Sequence, residues 1–507
     1  MIKIEYESLN QEILKYLGYA FIARVSYDLI TYASPIVYKK IKKIPIIEKQ
    51  INIKKDKTIL QIKEEINKEI KGNKLYLELP NEGMKEDEIL TIFNKLKTLQ
   101  SYDYKNGRVS GTVYTNNQDL DKFMNKIFLT FYRSNPLHSD IFPAVRKMEA
   151  EVISMMIKMF NGGQHVCGTF TNGGTESILL ACKAYQQWGK SQGIRKAEIV
   201  VSSTAHASYK KACYYFKMKY VEVPALPDGL VDLNEMKRKI NSNTVMIVGS
   251  TPCYNFGPID QIEELSQIAV KNNIGLHVDA CLGAFLINFM DLNIDFRLEG
   301  VTSISADLHK FGNSPKGASV IMYHNKELMK YQYFIDDKWT GGIYATTTLA
   351  GSRDGNIISL TWATLMRTGL NGYQENFYNI IKIRDYLLTR LSEIKELFVF
   401  GEPKLSVVAV GSELFDINLL SSKLKDKKWN LNMIQNPKGF HICLTNCHSQ
   451  NVIEQLINDI KETISDIDMN HKGEKSTCIY GTAQEISDQE IIRDVVSEYL
   501  YTLNRLE

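Results

Sequence analysis

The stretch Ser303-Ile304-Ser305-Ala306-Asp307-Leu308-His309-Lys310 decides how this chain is read. A short β-branched run, residues 301–305, leads into a histidine and a lysine, then Phe311-Gly312 and a second lysine, Lys316. A lysine at a strand end can hold an aldehyde as a Schiff base if its surroundings keep the amine reactive. Most lysines are solvated surface groups, so Lys310 gains its weight from three pieces that precede it.

The first piece is Gly168-Thr169-Phe170-Thr171-Asn172-Gly173-Gly174-Thr175-Glu176-Ser177, which opens a helix containing Leu179, Leu180 and Ala184. Glycine lets the backbone approach an anion, and the unpaired amides and positive end of a helix favour phosphate. The stretch has neither the GKS/T ending of a P-loop nor the Gly-x-Gly-x-x-Gly of a dinucleotide site. The second piece is His206, just beyond a predicted strand at residues 198–202, where a ring could stack on a flat cofactor. The third is Asp279, which ends the buried run Leu276-His277-Val278. Open α/β sheets bind ligands at the carboxyl ends of their strands. An anion beside a pyridine nitrogen keeps the ring protonated and makes it a better electron sink. Singly, these are a helix start, a structural histidine and a capping aspartate. In this order they form a phosphate cradle, a ring stack, an anion for the ring nitrogen and a Schiff-base lysine. Those are the parts of a pyridoxal 5'-phosphate site, and none calls for a metal.

Beyond Gly168, β-branched runs at residues 198–202, 244–249, 275–278, 301–305 and 319–323 alternate with helical stretches. This alternation predicts an α/β fold with a mainly parallel sheet covered by helices. Helices are expected at residues 358–370 and 373–394. Strands at 397–400, 406–410 and 441–445, with helices at 419–425 and 451–464, then predict a small C-terminal α+β domain. Towards the N-terminus, residues 51–75 read as a surface helix followed by a Gly72-Asn73 break. Residues 86–99 and 142–160 read as helices, and 102–117 as loop. The expected domains are therefore 1–100, 101–371 and 372–507.

At 507 residues, with 44% hydrophobic and 23% charged residues, this is an ordinary folded chain. A net charge of +3 gives no argument for nucleic acid. Eight scattered cysteines suggest neither a disulfide framework nor a zinc site, and fit a reducing compartment. Cys443, Cys447 and His448 come nearest to a metal cluster and fall short of one. No secretory signal is evident. Residues 17–38 are long enough to cross a bilayer, yet contain Arg24, Asp28 and Pro35. A central charge costs about 2.5–3.5 kcal/mol on insertion. Arg24 and Asp28 could neutralise each other one turn apart. They nevertheless share a face with Leu17, Phe21 and Val25. Lys39, Lys40, Lys42 and Lys43 would suit an anionic cytoplasmic surface. A helix packed on protein and a membrane span both stay open.

The motifs TNGGTESILLACKAY (171–185), HVDACLGAFL (277–286), GVTSISADLHKFG (300–312) and GGIYATTTLAGSR (341–353) resemble the sphingosine-1-phosphate lyase family. That family lies within the pyridoxal-phosphate group II decarboxylase-like superfamily. The likeness extends from about residue 39 almost to the C-terminus, through NPLHSDIFP (135–143), KKWNLN (427–432) and IYGTA (479–483). It implies the type I, aminotransferase-like transferase fold and a homodimer with shared active sites. Lys310 would hold the cofactor, Asp279 face its ring nitrogen and His206 stack on the ring. Gly174, Thr175 and His309 would serve the phosphate, with Gly351 and Ser352 reaching the neighbouring subunit's phosphate. Tyr114, Asn135, His138, Lys316 and Tyr480 match positions that handle substrate. Lys316, Tyr114 and Tyr480 are the candidates for proton transfer. The chain departs from the family at Asn172 for serine, Leu308 for threonine, Phe311 for tyrosine and Asp354 for proline. Animal and fungal members carry an N-terminal membrane helix, so the expected location is cytosol-facing, either soluble or at the endoplasmic reticulum membrane.

The expected reaction is retro-aldol cleavage of sphingosine 1-phosphate and related phosphorylated long-chain bases to phosphoethanolamine and a long-chain aldehyde. The alternative is an amino-acid decarboxylase of the same superfamily, which would need a basic group for the α-carboxylate and would release carbon dioxide. A non-enzymatic partner-binding protein is opposed by the intact Lys310, Asp279 and His206.

Overall fold

A computed structural model describes residues 44–68, 70–467 and 489–505. Backbone contacts divide the chain into Gln100–Thr477 and a second unit of Met1–Leu99 with Cys478–Glu507. The expected membrane segment at 17–38 and Tyr480 lie outside the described residues. Among the described residues, no helix is long and apolar enough to cross a membrane.

The larger unit is organised by a seven-stranded sheet of β1 (Cys167–Thr171), β2 (Glu198–Ser202), β3 (Lys219–Val223), β4 (Thr244–Ser250), β5 (Gly275–Asp279), β6 (Val301–Asp307) and β7 (Ser319–Tyr323). Its order is β1-β7-β6-β5-β4-β2-β3. From β3 to β6 all neighbours are parallel, and β7 runs antiparallel to both β6 and β1. Strands β2, β4, β5 and β7 are buried along their whole length. That is why their sequences read as continuous apolar runs rather than alternating ones. Helices cover both faces. One face packs Val200, Ile247, Leu276 and Ile304. The other packs Ile199, Met246 and Val248 against Leu179, Leu180 and Tyr185 of the helix Gly174–Ser191.

The two helices expected at 358–370 and 373–394 form one element, Gly355–Leu391, interrupted only at Gly369 (φ 63°, ψ 171°). A side chain there would meet open space, so the glycine serves a left-handed backbone and not a close contact. The boundary expected after residue 371 falls inside this helix. Beyond it, a second sheet contains β10 (Phe398–Val399), β11 (Val407–Gly411), β12 (Asn432–Ile434) and β13 (Gly439–Cys443). All its pairings are antiparallel, in the order β10-β11-β13-β12. The helices Ile417–Asp426 and Gln450–Ser465 bury Leu420, Leu424, Leu456 and Ile460 against it. Between the two sheets in sequence lies a hairpin of β8 (Phe334–Asp336) and β9 (Tyr344–Thr346) that the sequence reading missed.

In the smaller unit the helices Pro45–Asn67 and Gln489–Leu503 pack on one another, and Thr58, Ile62, Val495 and Thr502 are buried on them. Lys63 pairs with Glu498 at 2.9 Å. The first of these ends before the predicted break at Gly72. The helix Glu86–Lys97 buries no residue, although Ile89, Leu90, Phe93 and Leu96 give it an apolar face.

Candidate active site

A cavity of about 430 Å³ opens at the carboxyl ends of β4, β5 and β6, where an open α/β sheet places ligands. It is lined by Gly174, Thr175, His206, Asp279, His309 and Lys310, together with Asn172, Tyr254, Cys281 and Asp307. The sequence pieces that are far apart along the chain thus meet in one space.

Each wall has a local cause. Gly173 adopts φ 120° and opens the helix Gly174–Ser191. A Cβ on Gly174 would lie 2.8 Å from both Asp307 carboxylate oxygens and 2.9 Å from Cys281 Sγ, so only glycine fits. The turn is held by Glu176, whose two oxygens accept the Asn172 amide at 2.6 Å and the Leu349 amide at 2.9 Å. Behind it Thr171, Ser177 and Ser319 form a hydroxyl chain with steps of 2.7 and 2.9 Å, joining β1, the helix and β7.

His206 Nδ1 accepts the Ser208 backbone N–H at 3.2 Å, which leaves the ring proton on Nε2. Ser208 Oγ contacts the same nitrogen at 2.8 Å and bonds Thr175 Oγ1 at 3.1 Å. Asp279 is buried at the end of β5, where its carboxylate accepts the Cys281 N–H at 3.2 Å and the Tyr209 hydroxyl at 3.3 Å. His277, two residues earlier, contacts Ser303 and Ser305, and burial pushes its pKa down to about 4.

Asp307 is the functional group the sequence reading quoted but did not assign. It is 2% exposed, and its Oδ2 lies 3.0 Å from Lys310 Nζ and 3.6 Å from His309 Nε2. Burial works against both charges of the pair. Their mutual attraction, joined by His309 and Ser319 at the carboxyl and by Cys281 and Tyr114 at the amine, outweighs it, holding the Lys310 amine above and the Asp307 carboxyl below their ordinary values. Asp307 ends β6 and Lys310 follows three residues later, so the turn between them brings the acid and the amine together.

Lys316 and Tyr114 lie beside one another, with Lys316 Nζ 4.8 Å from the Tyr114 ring centre. The Lys316 ammonium also donates to the His309 carbonyl at 3.2 Å. Partial burial of the ammonium, then the positive charge of Lys310, push its pKa down to about 8. Burial drives the Tyr114 phenol far above its usual range, with the electrostatic influence of Cys443 adding to it. Phe311 meets the Tyr114 ring edge-on at 4.9 Å, so the residue replacing the family's tyrosine packs as core.

The remaining candidates gather elsewhere. Asn135 Nδ2 donates to Ser352 Oγ at 3.1 Å, and Asn135 Oδ1 accepts the Arg353 N–H at 3.2 Å. Gly351 and Arg353 line a separate cavity of about 520 Å³ with Pro136, Leu137 and Glu149. His138 is exposed. Among the described residues no cluster of three or more His, Cys, Asp or Glu could hold a metal.

The pyridoxal-dependent decarboxylase conserved domain matches residues 108–411. Sphingosine-1-phosphate lyase 1 of Rattus norvegicus is 43% identical, over 92% of this chain and 84% of the relative. Sphingosine-1-phosphate lyase of Saccharomyces cerevisiae is 38% identical, over 89% of this chain and 80% of the relative. The chain belongs to the sphingosine-1-phosphate lyase family. A solved sphingosine-1-phosphate lyase of Burkholderia pseudomallei superposes with a TM-score of 0.78 at 30% identity, covering 86% of this chain and 99% of that one. Lactobacillus brevis glutamate decarboxylase shares the fold at a TM-score of 0.69 and 19% identity. The fold is therefore that of the pyridoxal-phosphate-dependent decarboxylases and transferases, and the cofactor is pyridoxal 5'-phosphate. The residues present fit that group. The bare backbone at Gly173 and Gly174 can approach a phosphate, and a buried carboxylate, Asp279, faces the cavity. The His309 ring and the Asp307 carboxylate also line it, each with a buried polar atom that has no close hydrogen-bond partner among the described residues.

Proposed function

We propose that this member of the family cleaves the C2–C3 bond of sphingosine 1-phosphate and related phosphorylated long-chain bases, releasing phosphoethanolamine and a long-chain aldehyde. The observation that carries the reading is the meeting of Lys310, Asp279, His206 and the Gly174-Thr175 turn around one cavity. Bound pyridoxal phosphate supplies an aldehyde for the lysine and a protonated ring that accepts the electron pair released by bond cleavage. Lys310 provides the amine that anchors it, and Asp279 keeps a proton on the ring nitrogen. His206, its tautomer fixed by Ser208, offers a flat face for stacking. Thr175 and His309 join the glycine turn in holding the phosphate.

Lys316 and Tyr114 divide the proton work between them. With its pKa pushed down to about 8, Lys316 is partly neutral near physiological pH and can take the proton of the C3 hydroxyl. Tyr114, its phenol driven upward by burial, keeps its proton and serves as a hydrogen-bond donor.

The substrate phosphate and the neighbouring cofactor's phosphate fall to Asn135, His138, Gly351 and Ser352 in a homodimer that shares its sites. Two features support this: Gly351 lines its own cavity, apart from that of Lys310, and the β8–β9 hairpin exposes Phe334, Ile335, Trp339 and Ile343. The cysteines among the described residues are all free, which supports a cytosol-facing location.

The test is product analysis after incubating the cofactor-loaded protein with sphingosine 1-phosphate. Long-chain aldehyde and phosphoethanolamine in equal amounts are expected. Carbon dioxide from amino acids, with no aldehyde, would overturn the reading in favour of a decarboxylase.

A further inference from the structure

We infer that His441, on the small C-terminal sheet, is a positioning residue that sets the attitude of Tyr254 in the wall of the Lys310 cavity. The inference rests on the reading above, in which His206 stacks on the cofactor. It assigns the second sheet a part in the active site.

His441 lies on β13, opposite Ala409 of β11 and Asn432 of β12, and is 1% exposed. Its hydrogen bonds leave one arrangement. The Asn432 side-chain nitrogen, which can only donate, lies 3.0 Å from His441 Nε2, so Nε2 accepts. The ring proton then sits on Nδ1, which donates to the Asn255 carbonyl at 3.1 Å. The same Asn432 nitrogen also donates to Ser110 Oγ at 3.0 Å. Burial pushes the His441 pKa down to about 4, so the ring stays neutral across the physiological range.

Asn255 belongs to the turn that follows β4, and its neighbour Tyr254 lines the cavity. That turn is tied to the cofactor side by the Thr251 N–H on the Asp279 carbonyl at 2.9 Å. It is closed on itself by the Cys253 N–H on the Pro258 carbonyl at 2.8 Å. Its far end presses on the second sheet. A Cβ on Gly257 (φ 91°) would lie 2.3 Å from the Val407 carbonyl oxygen, so the turn lies directly on β11. The Tyr254 ring stands between two imidazoles, perpendicular to His441 at 4.8 Å and edge-on to His206 at 6.3 Å. His441 therefore holds both the carbonyl of Asn255, the residue after Tyr254, and the Tyr254 ring itself, and Tyr254 passes that constraint to His206.

The experiment is a double-mutant cycle on the cofactor-loaded full chain, read by the visible absorption and circular dichroism of bound pyridoxal phosphate and by kcat and KM. His441→Phe keeps a flat ring but leaves the Asn255 carbonyl and the Asn432 amide without it. It should change the visible dichroism and lower kcat about tenfold with a smaller change in KM. His441→Gln, whose amide can give one hydrogen bond and accept the other, should restore most of both signals. In a Tyr254→Ala background the two substitutions should have equal and small effects, because the relay is already cut. If His441→Phe lowers kcat as much in that background as alone, or if glutamine rescues nothing, His441 is not acting through Tyr254 and the inference falls. Should His441→Phe fail to fold, the cycle is run with His441→Gln and His441→Asn. Asparagine is too short to reach Asn255 and is expected to behave as phenylalanine does. A wild-type protein that shows no visible cofactor band would instead overturn the proposed function.

Discussion

At the carboxyl ends of β4, β5 and β6, Asp279 and Asp307 are buried, and Asp279, Asp307, Lys310 and His206 are each fixed by a named partner. Around Ser352 the same chain leaves the serine and His138 exposed and gives Gly351 a cavity of its own. The first region is made by the sheet of a single chain, where strand ends converge and backbone geometry does the placing. The second has polar groups held ready at a surface, with Asn135 orienting Ser352 and the Arg353 backbone. A single sheet suffices to assemble the groups proposed to meet the cofactor's ring and aldehyde. The groups proposed to act across the dimer lie where a second copy can reach them.

This contrast can be broken or sharpened by substitution. Replacing Lys310 with alanine should abolish the visible absorption of the loaded protein and bring turnover below detection. Normal turnover in that variant would sink the Schiff-base assignment. Asp279→Asn should still bind pyridoxal phosphate yet lose about 10²–10³-fold in kcat, because the charge that stabilises the electron-rich state is gone. An unchanged kcat would move the ring nitrogen elsewhere.

Lys316 gives a pH test. A base must be neutral to accept a proton, and its pKa is pushed down to about 8. The rate should therefore climb with pH up to about 8 and level off above it. Lys316→Ala should lose about 10²-fold and the rising limb with it. If the limb survives, another group carries it.

Effects in the second region should be smaller and of another kind. Arg353 pairs with Glu149 at 2.5 Å, both side chains being largely buried. Arg353→Ala leaves that carboxylate without its partner and should cost about 3 kcal/mol in denaturant unfolding. Smallest of all, Ser352→Ala removes one exposed hydrogen-bond partner, worth about 1 kcal/mol. If subunits share sites, it should weaken cofactor retention a few-fold, and most at low protein concentration. A loss independent of concentration would argue that Ser352 acts within its own chain.

Much of the first region was legible in the sequence because its signals are local. Residues 319–323 and 198–202 coincide with β7 and β2, since fully buried strands show as unbroken apolar runs. Asp279 and Gly174 stand at the ends of a strand and a helix, and Lys310 and His206 lie three and four residues beyond strand ends, positions that apolar runs along the sequence mark. Asp307 was visible but unassigned, because its ion pair with Lys310 depends on the turn after β6. Tyr254 and His441 were illegible together. They are distant in sequence and meet only because β11 and β13 lie against the turn after β4. The gap expected at residues 371–372 is continuous helix, and the interruption falls instead at Gly369, inside the first of the two expected helices. The β8–β9 hairpin escaped because its strands are three residues each, too short for a period to show.

Glu176 has one oxygen on the amide of Asn172, beside the phosphate turn, and the other on the amide of Leu349, two residues before Gly351. One side chain thus spans the boundary between the chemistry kept inside a chain and the surface offered to another. Any coupling carried through it would act by the same amount in both directions. In a shared-site dimer of the kind proposed, vitamin B6 uptake and the association of two copies would form one linked equilibrium, with this carboxylate placed between them.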